Sequence, residues 1–260
     1  MHPLCQKIRS EILRVSHKSG HGHIPTSFSI VEMLCAVYAV MRHDPKNPDM
    51  PDRDIFVLSK GHASLGFYCA LAAQGYFDFD EVYSFGAFDS KFGCHPDRTK
   101  VPGVEASTGS LGHGIGLAVG IALAAKIADT SRQVYTLIGD GESNEGTVWE
   151  AIMVAANLKL DNLIVLYDNN NSQSRCLPIP NPGERFAAFG CQTVEVDGHN
   201  LEAIKKALVK PADRPRVVIC NTVKGYGCAT LSNNVYEWHR RAPKPEELDK
   251  LLGELHAGAI

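Results

Sequence analysis

The chain has 260 residues, 44% hydrophobic and 21% charged, the usage of an ordinary globular protein rather than a disordered one, and its length suits one large α/β domain or two small ones. A formal net charge of −3 gives no general attraction to phosphate backbones or anionic membranes, so neither nucleic acid nor a membrane is an expected partner. Eight cysteines are scattered without a Cys-x-x-Cys pair, the N-terminus lacks the apolar core of a signal peptide, and no apolar run approaches the ~20 residues of a membrane span; a cytoplasmic protein with reduced thiols is expected.

Leu4, Ile8, Ile12 and Val15 recur at helical spacing and predict a first helix ending near Gly20. Ile30, Val31, Leu34, Val37 and Tyr38 predict a second, followed by a proline-rich connector over 44–54 and a short strand over 54–58. Helical spacing returns after Gly61-His62 and again over 114–128. A strand over 133–138, a helix over 146–158 and a strand over 162–167 come next. Strands near 192–196 and 216–220 flank a helix over 200–209, and a final helix covers 245–255. This alternation predicts a three-layer α/β fold, a mostly parallel sheet with helices on both faces, whose ligands bind beyond the carboxyl ends of the strands. No linker or repeat divides the chain, so one domain over 1–260 is expected.

The stretch Ile138-Gly-Asp-Gly-Glu-Ser-Asn-Glu-Gly146 follows a predicted strand directly. Its glycines permit a tight turn and close backbone approach, and the Gly141 N–H could face an anion. A second strand ends in Tyr167-Asp-Asn-Asn-Asn171, bringing amide oxygens to a similar height. Mg²⁺ favours a few protein oxygens plus ligand phosphates, so Asp140 and one of these asparagines could hold a metal-bound diphosphate. Taken alone, Gly-Asp-Gly is more often a surface turn and the asparagine run a loop; the second oxygen-bearing strand end shifts the balance toward a site. No G-x-G-x-x-G stands at a strand-to-helix junction, although GSLGHGIG comes near it, which disfavours a nicotinamide site.

GDGESNEG followed by NLIVLYDNNN closely resembles the thiamine diphosphate signature. The resemblance extends through Ser19-Gly-His21, Ser59-Lys-Gly-His-Ala63, Cys94-His-Pro96, the block from Ser107 to Gly114, Thr222-Val-Lys-Gly-Tyr-Gly227 and Trp238-His239. These ordered blocks span nearly the whole chain and look like the N-terminal half of transketolase in the form made as a separate subunit. The resemblance implies the thiamine diphosphate-binding fold, transfer of a two-carbon ketol unit from a ketose, expected to be phosphorylated, to an aldose, and thiamine diphosphate and Mg²⁺ as cofactors. It implies a partner chain carrying the pyrimidine-binding domain, in a complex with two copies of each.

By the same resemblance Asp140 and Asn170 bind Mg²⁺ by side chain and Ser172 by its carbonyl. Gly109, Leu111, Gly141 and His62 line the cofactor, while His21, His95 and His239 meet the sugar, His239 also lying near the diphosphate. Glu145 corresponds to an acidic residue linking paired active sites through the partner; at the start of a helix it equally favours the macrodipole. A neutral imidazole can accept and donate protons near pH 7, as cleavage between C2 and C3 requires. His2, His17, His43, His199 and His256 read as structural or surface residues, with His23 and His113 intermediate. Zinc on His21-x-His23 is a weaker alternative that leaves the GDG block unexplained. Arg240 stands where the family often has glycine, and SGHGHIPTS departs from the common pattern; both leave the substrate open. The rivals are the α subunit of a 2-oxo acid dehydrogenase, a deoxyxylulose-phosphate synthase fragment and, in another class, a silent binding or regulatory paralogue.

Overall fold

The computed structural model describes residues 1–257. Helix α1 (Pro3–Ser19) begins with a proline in its first turn, where the missing N–H costs nothing, and ends at Gly20 in the left-handed region, φ 76°. Two helices follow almost without a break, α2 (Ile24–Ser29) and α3 (Val31–Val40), sharing Ile30 as the hinge residue. After strand β1 (Ile55–Leu58) come α4 (Ser64–Gln74), α5 (Phe79–Val82) and α6 (His113–Ile127). The second half alternates β2 (Val134–Gly139), α7 (Gly146–Asn157), β3 (Leu163–Asn169), α8 (Pro182–Ala188), β4 (Gln192–Asp197), α9 (Leu201–Leu208) and β5 (Arg216–Asn221). Two helices end the chain, α10 (Ala229–Asn233) and α11 (Pro245–Ala257).

The five strands form one parallel sheet in the order β1-β2-β3-β5-β4. Successive side chains on a strand point to opposite faces, and the sheet feeds two cores accordingly. Phe56, Leu58, Tyr135, Leu137, Ile164, Leu166 and Val218 join a core with α1, α3, α4, α9 and α11. Ile55, Val57, Val134, Ile138, Val165, Tyr167 and Ile219 join the other with α6, α7 and Phe186 of α8. This is the three-layer α/β architecture that the strand and helix alternation predicts. Its longer elements lie within about two residues of their predicted bounds. Helices α2, α5, α8 and α10 are not among the predicted elements, because four to seven residues hold too few turns to show a period.

All eight cysteines are free, with only Cys94 and Cys176 exposed. Among the described residues no helix is long and apolar enough to cross a membrane.

Candidate active site

The carboxyl ends of β1, β2, β3 and β5 meet on one edge of the sheet, and there a cleft of about 330 Å³ opens. Its floor is organised by one carboxylate. Asp168 is wholly buried and its Oδ2 accepts from Lys60 Nζ at 2.6 Å, Ser29 Oγ at 2.7 Å and Asn170 Nδ2 at 2.7 Å. Its Oδ1 accepts from Thr222 Oγ1 at 2.6 Å. Burial opposes the charged form, but the Lys60 charge and the hydrogen bonds from Lys60, Thr222 and Ser29 outweigh it and hold the carboxyl below its usual range. Lys60 is itself buried and also donates to Thr26 Oγ1 at 2.7 Å, so each charge of this internal salt bridge has further hydrogen-bond partners besides the other, as a buried pair requires.

This floor sets the amide of Asn170. Its nitrogen is committed to Asp168, so its oxygen turns the other way, where it accepts from Ser172 N at 3.0 Å. Ser172 Oγ donates to Asp140 Oδ1 at 2.6 Å. Asp140, Asn170 and Ser172 all line the cleft. They form a set of hard oxygen donors with no sulfur or imidazole among them, which fits Mg²⁺. The Gly141 N–H differs from expectation: it donates to Asp140 Oδ1 at 2.7 Å, orienting the carboxylate instead of facing an anion.

Glu142 has no place in the sequence reading, yet it holds three segments together. Its Oε1 accepts from Ser59 Oγ at 2.6 Å and Gly112 N at 2.9 Å, and its Oε2 from Gly139 N at 3.1 Å. Burial pushes its pKa up, against those same three bonds. Two glycines of GSLGHGIG allow close approach here: a Cβ on Gly114 would lie 2.5 Å from Ser59 Cα, and one on Gly109 3.1 Å from the His95 ring.

His23, His62, His95 and His239 line the cleft, with Gly109 and Leu111. The His23 ring stands edge-on to His62 at 5.3 Å and to His239 at 5.4 Å between centroids. Burial, then the charge of Lys60, pushes His62 down to about 2. Burial and the neighbouring His239, Arg240, His95 and Lys224 push His23 down to about 4. His95 and His239 are lowered too, first by burial and then by nearby cations, so all four are neutral imidazoles at pH 7.

His21 is not in this group. Gly20 turns the chain at the end of α1 and Gly22, at φ 145°, turns it again. The His21 ring therefore packs on Phe85 at 5.0 Å with Nδ1 3.6 Å from Cys94 Sγ, while His23 two residues on enters the cleft. The two rings point into different surroundings, which removes the His-x-His zinc reading, and among the described residues no three His, Cys, Asp or Glu are grouped to hold a metal. Glu145 is exposed at the N-cap of α7, outside the cleft.

Lys224 also lines the cleft, almost buried, its Nζ 3.4 Å from His239 Nδ1. Burial and the Lys60 charge lower its pKa, and no carboxylate lies within ion-pair distance of it among the described residues. Its signal in the sequence is the lysine of VKGYG, which lies inside a motif block and carries the block's only charge.

Residues 3–255 match the family described as transketolase, thiamine diphosphate binding domain. The chain is 40% identical to an apulose-4-phosphate transketolase subunit from Actinobacillus succinogenes, covering 96% of this chain and 94% of that protein. It is 38% identical to the 6-deoxy-6-sulfo-D-fructose transketolase subunit SqwG of Clostridium sp. (strain MSTE9), over 85% and 84% of the two. Against mouse transketolase it is 33% identical over 97% of its own length but only 41% of the relative's. The solved transketolase of Leishmania mexicana superposes with a TM-score of 0.89 at 28% identity, covering 97% of this chain and 41% of that one. The chain thus spans most or nearly all of the relatives made as separate subunits and about two-fifths of the undivided enzymes. It belongs to the transketolase family, as the N-terminal, thiamine diphosphate-binding subunit of a divided enzyme.

Proposed function

We propose that this protein, joined to a partner carrying the pyrimidine-binding half, transfers a two-carbon ketol unit from an anionic ketose to an aldose using thiamine diphosphate and Mg²⁺. The observation that carries the reading is the meeting, at one strand edge, of the Asp140, Asn170 and Ser172 oxygens with Lys224 and four neutral imidazoles. Asp140 and Asn170 hold Mg²⁺ by side chain and Ser172 by its carbonyl. Lys224 and His62 face the diphosphate, with Gly109, Leu111 and Gly141 lining its seat. When bound, thiamine diphosphate supplies the electron sink for breaking the C2–C3 bond. His23, His95 and His239, uncharged at pH 7, can take the C3 hydroxyl proton and donate to the sugar oxygens. Glu145, exposed beside the start of α7, faces the partner assembly, for which two copies of each chain are proposed. The cytoplasm is the proposed location.

Two relatives are named for apulose-4-phosphate and for 6-deoxy-6-sulfo-D-fructose, ketoses with an anionic tail. Arg240 supports a tail of that kind here. Arg241 is tied to Glu237 and Glu247, whereas the Arg240 side chain is exposed next to His239 and its charge reaches His23 and His95.

The test is calorimetric titration of the assembled complex with thiamine diphosphate and Mg²⁺. Asp140→Ala and Asn170→Ala should each weaken cofactor binding by at least about tenfold, the effect of losing a charge-assisted ligand. Unchanged affinity in both variants would sink the assignment.

A further inference from the structure

The segment that presents Lys224 is held from behind by a buried polar cluster. Val223 N donates to His199 Nε2 at 2.8 Å. Because Nε2 accepts, the ring proton must sit on Nδ1, which lies 3.2 Å from Glu32 Oε2 and donates to it. The imidazole is stacked on Tyr226, centroids 3.5 Å apart and planes 7° from parallel. Glu32 is buried and takes both Nη1 and Nη2 of the buried Arg9 at 2.6 Å, while Nη2 also donates to Phe28 O at 2.7 Å. The Arg9 guanidinium lies 5.1 Å from the centre of the Tyr226 ring. Burial disfavours the Glu32 charge, but the Arg9 charge and hydrogen bond, with that of His199, outweigh it and bring its pKa down to about 2.

Three anchors therefore bracket Lys224: His199 at Val223, Pro25 O accepting from Gly225 N at 3.1 Å, and the stack at Tyr226. Gly225 allows this course, since its φ is +84° and a Cβ there would stand 2.9 Å from Ser232 N. With both neighbours fixed, the Lys224 side chain has one way to go, into the cleft. The Arg9–Glu32 pair would knit α1 to α3 without His199. What His199 adds is the link from that pair to the 222–226 segment.

We propose that His199 is a positioning residue for cofactor binding: its acceptor nitrogen fixes the backbone before Lys224 and so aims the Lys224 ammonium at the diphosphate. The inference rests on the proposed function, in which Lys224 faces that group.

Two conservative variants separate the two hydrogen bonds of His199. In His199→Gln the side-chain oxygen reaches the place of Nε2 and keeps the bond from Val223 N. In His199→Asn the amide reaches only the place of Nδ1 and keeps the bond to Glu32. Thiamine diphosphate affinity is measured by calorimetry on the assembled complex at fixed Mg²⁺, together with KM for a ketose phosphate and the melting temperature. His199→Asn should weaken cofactor binding about tenfold, the size of one buried hydrogen bond, without changing KM for the ketose, and His199→Gln should restore most of it. Lys224→Met should weaken cofactor binding, and adding His199→Asn to it should weaken binding no further, as for residues acting through one another. Full additivity, or a larger loss in His199→Gln than in His199→Asn, overturns the positioning role. An unaltered affinity in Lys224→Met overturns the placing of Lys224 on the diphosphate as well, and with it this inference, so the two failures are told apart.

Discussion

Gly22 stands between two histidines that serve different surroundings, and a single backbone angle of φ 145° separates them. His23 is in the cleft and His21 is against Phe85. Accordingly, His23→Ala should lower kcat/KM for the ketose by roughly 10²–10⁴, the range for loss of a general acid or base. His21→Ala should stay within a few-fold of the parent, and steady-state kinetics on the two variants decides it; equal losses would return His21 to the site. Acid stability follows from the same imidazoles. Unfolded histidines bind protons near pH 6.5, whereas folded His23 and His62 do so only near 4 and 2. Between pH 6.5 and 4 the unfolded chain thus holds more protons, and stability falls as pH falls, with no contribution above 6.5. Urea midpoints across this range should drop toward acid, and His62→Gln should flatten the slope. Nine residues named from the motif blocks, Asp140, Asn170, Ser172, Gly109, Leu111, Gly141, His62, His95 and His239, come together in one cleft. The sequence placed His21 rather than His23 at the sugar, and the choice between them was not legible, because each imidazole follows a glycine and the turn at Gly22 that parts them shows only in the structure. Lys60, Glu142 and Asp168 were not legible either, since a buried charge paired across 83 or 108 positions leaves no periodic trace.

Helix α6 is apolar apart from His113 and Lys126 near its ends, yet the sheet covers only one side of it. Leu117 is 48% exposed and Ile127 78%, and α7 adds Met153 at 54% and Val154 at 46%. The two helices pack on each other, and exposed apolar side chains on neighbouring helices are candidates for an interaction surface. Leu117→Asp with Met153→Asp should leave the melting temperature of the isolated chain nearly unchanged, since exposed substitutions cost within about 0.5 kcal/mol. Sedimentation of the complex should then show dissociated chains. Intact assembly in that variant would remove this face from the interface. Which side of α6 packs inward could not be read from its sequence, because a helix without a polar face has no moment to orient it. The strands could be read, because a strand buried on both faces is a short continuous apolar run, as in β1, β2, β3 and β5. The four short helices could not, as they are set by what surrounds them.

At the scale of the whole molecule, the chain matches a separately made transketolase subunit over 94% of that relative's length and an undivided transketolase over 41%. Purified alone with thiamine diphosphate and Mg²⁺ it should show no ketol transfer. Activity should appear on mixing with the partner chain, then decline on dilution toward their dissociation constant. Turnover by a preparation shown by mass spectrometry to be free of partner would contradict the divided-site reading. The Asp168 carboxylate bears on how such an assembly holds its ligand. Helix α2, the end of β1, the turn after β3 and the segment after β5 all bond to that one group, so none of them can swing outward without breaking the others' anchor. The floor of the cleft should therefore show hydrogen-exchange protection close to that of the sheet itself. Across the cleft, His239 comes from a mostly exposed segment, 233–240, in which Trp238 is buried beneath Arg241. A cofactor seated as proposed would thus be held between a floor tied into the sheet and a side chain carried on a surface segment, two supports of unequal depth.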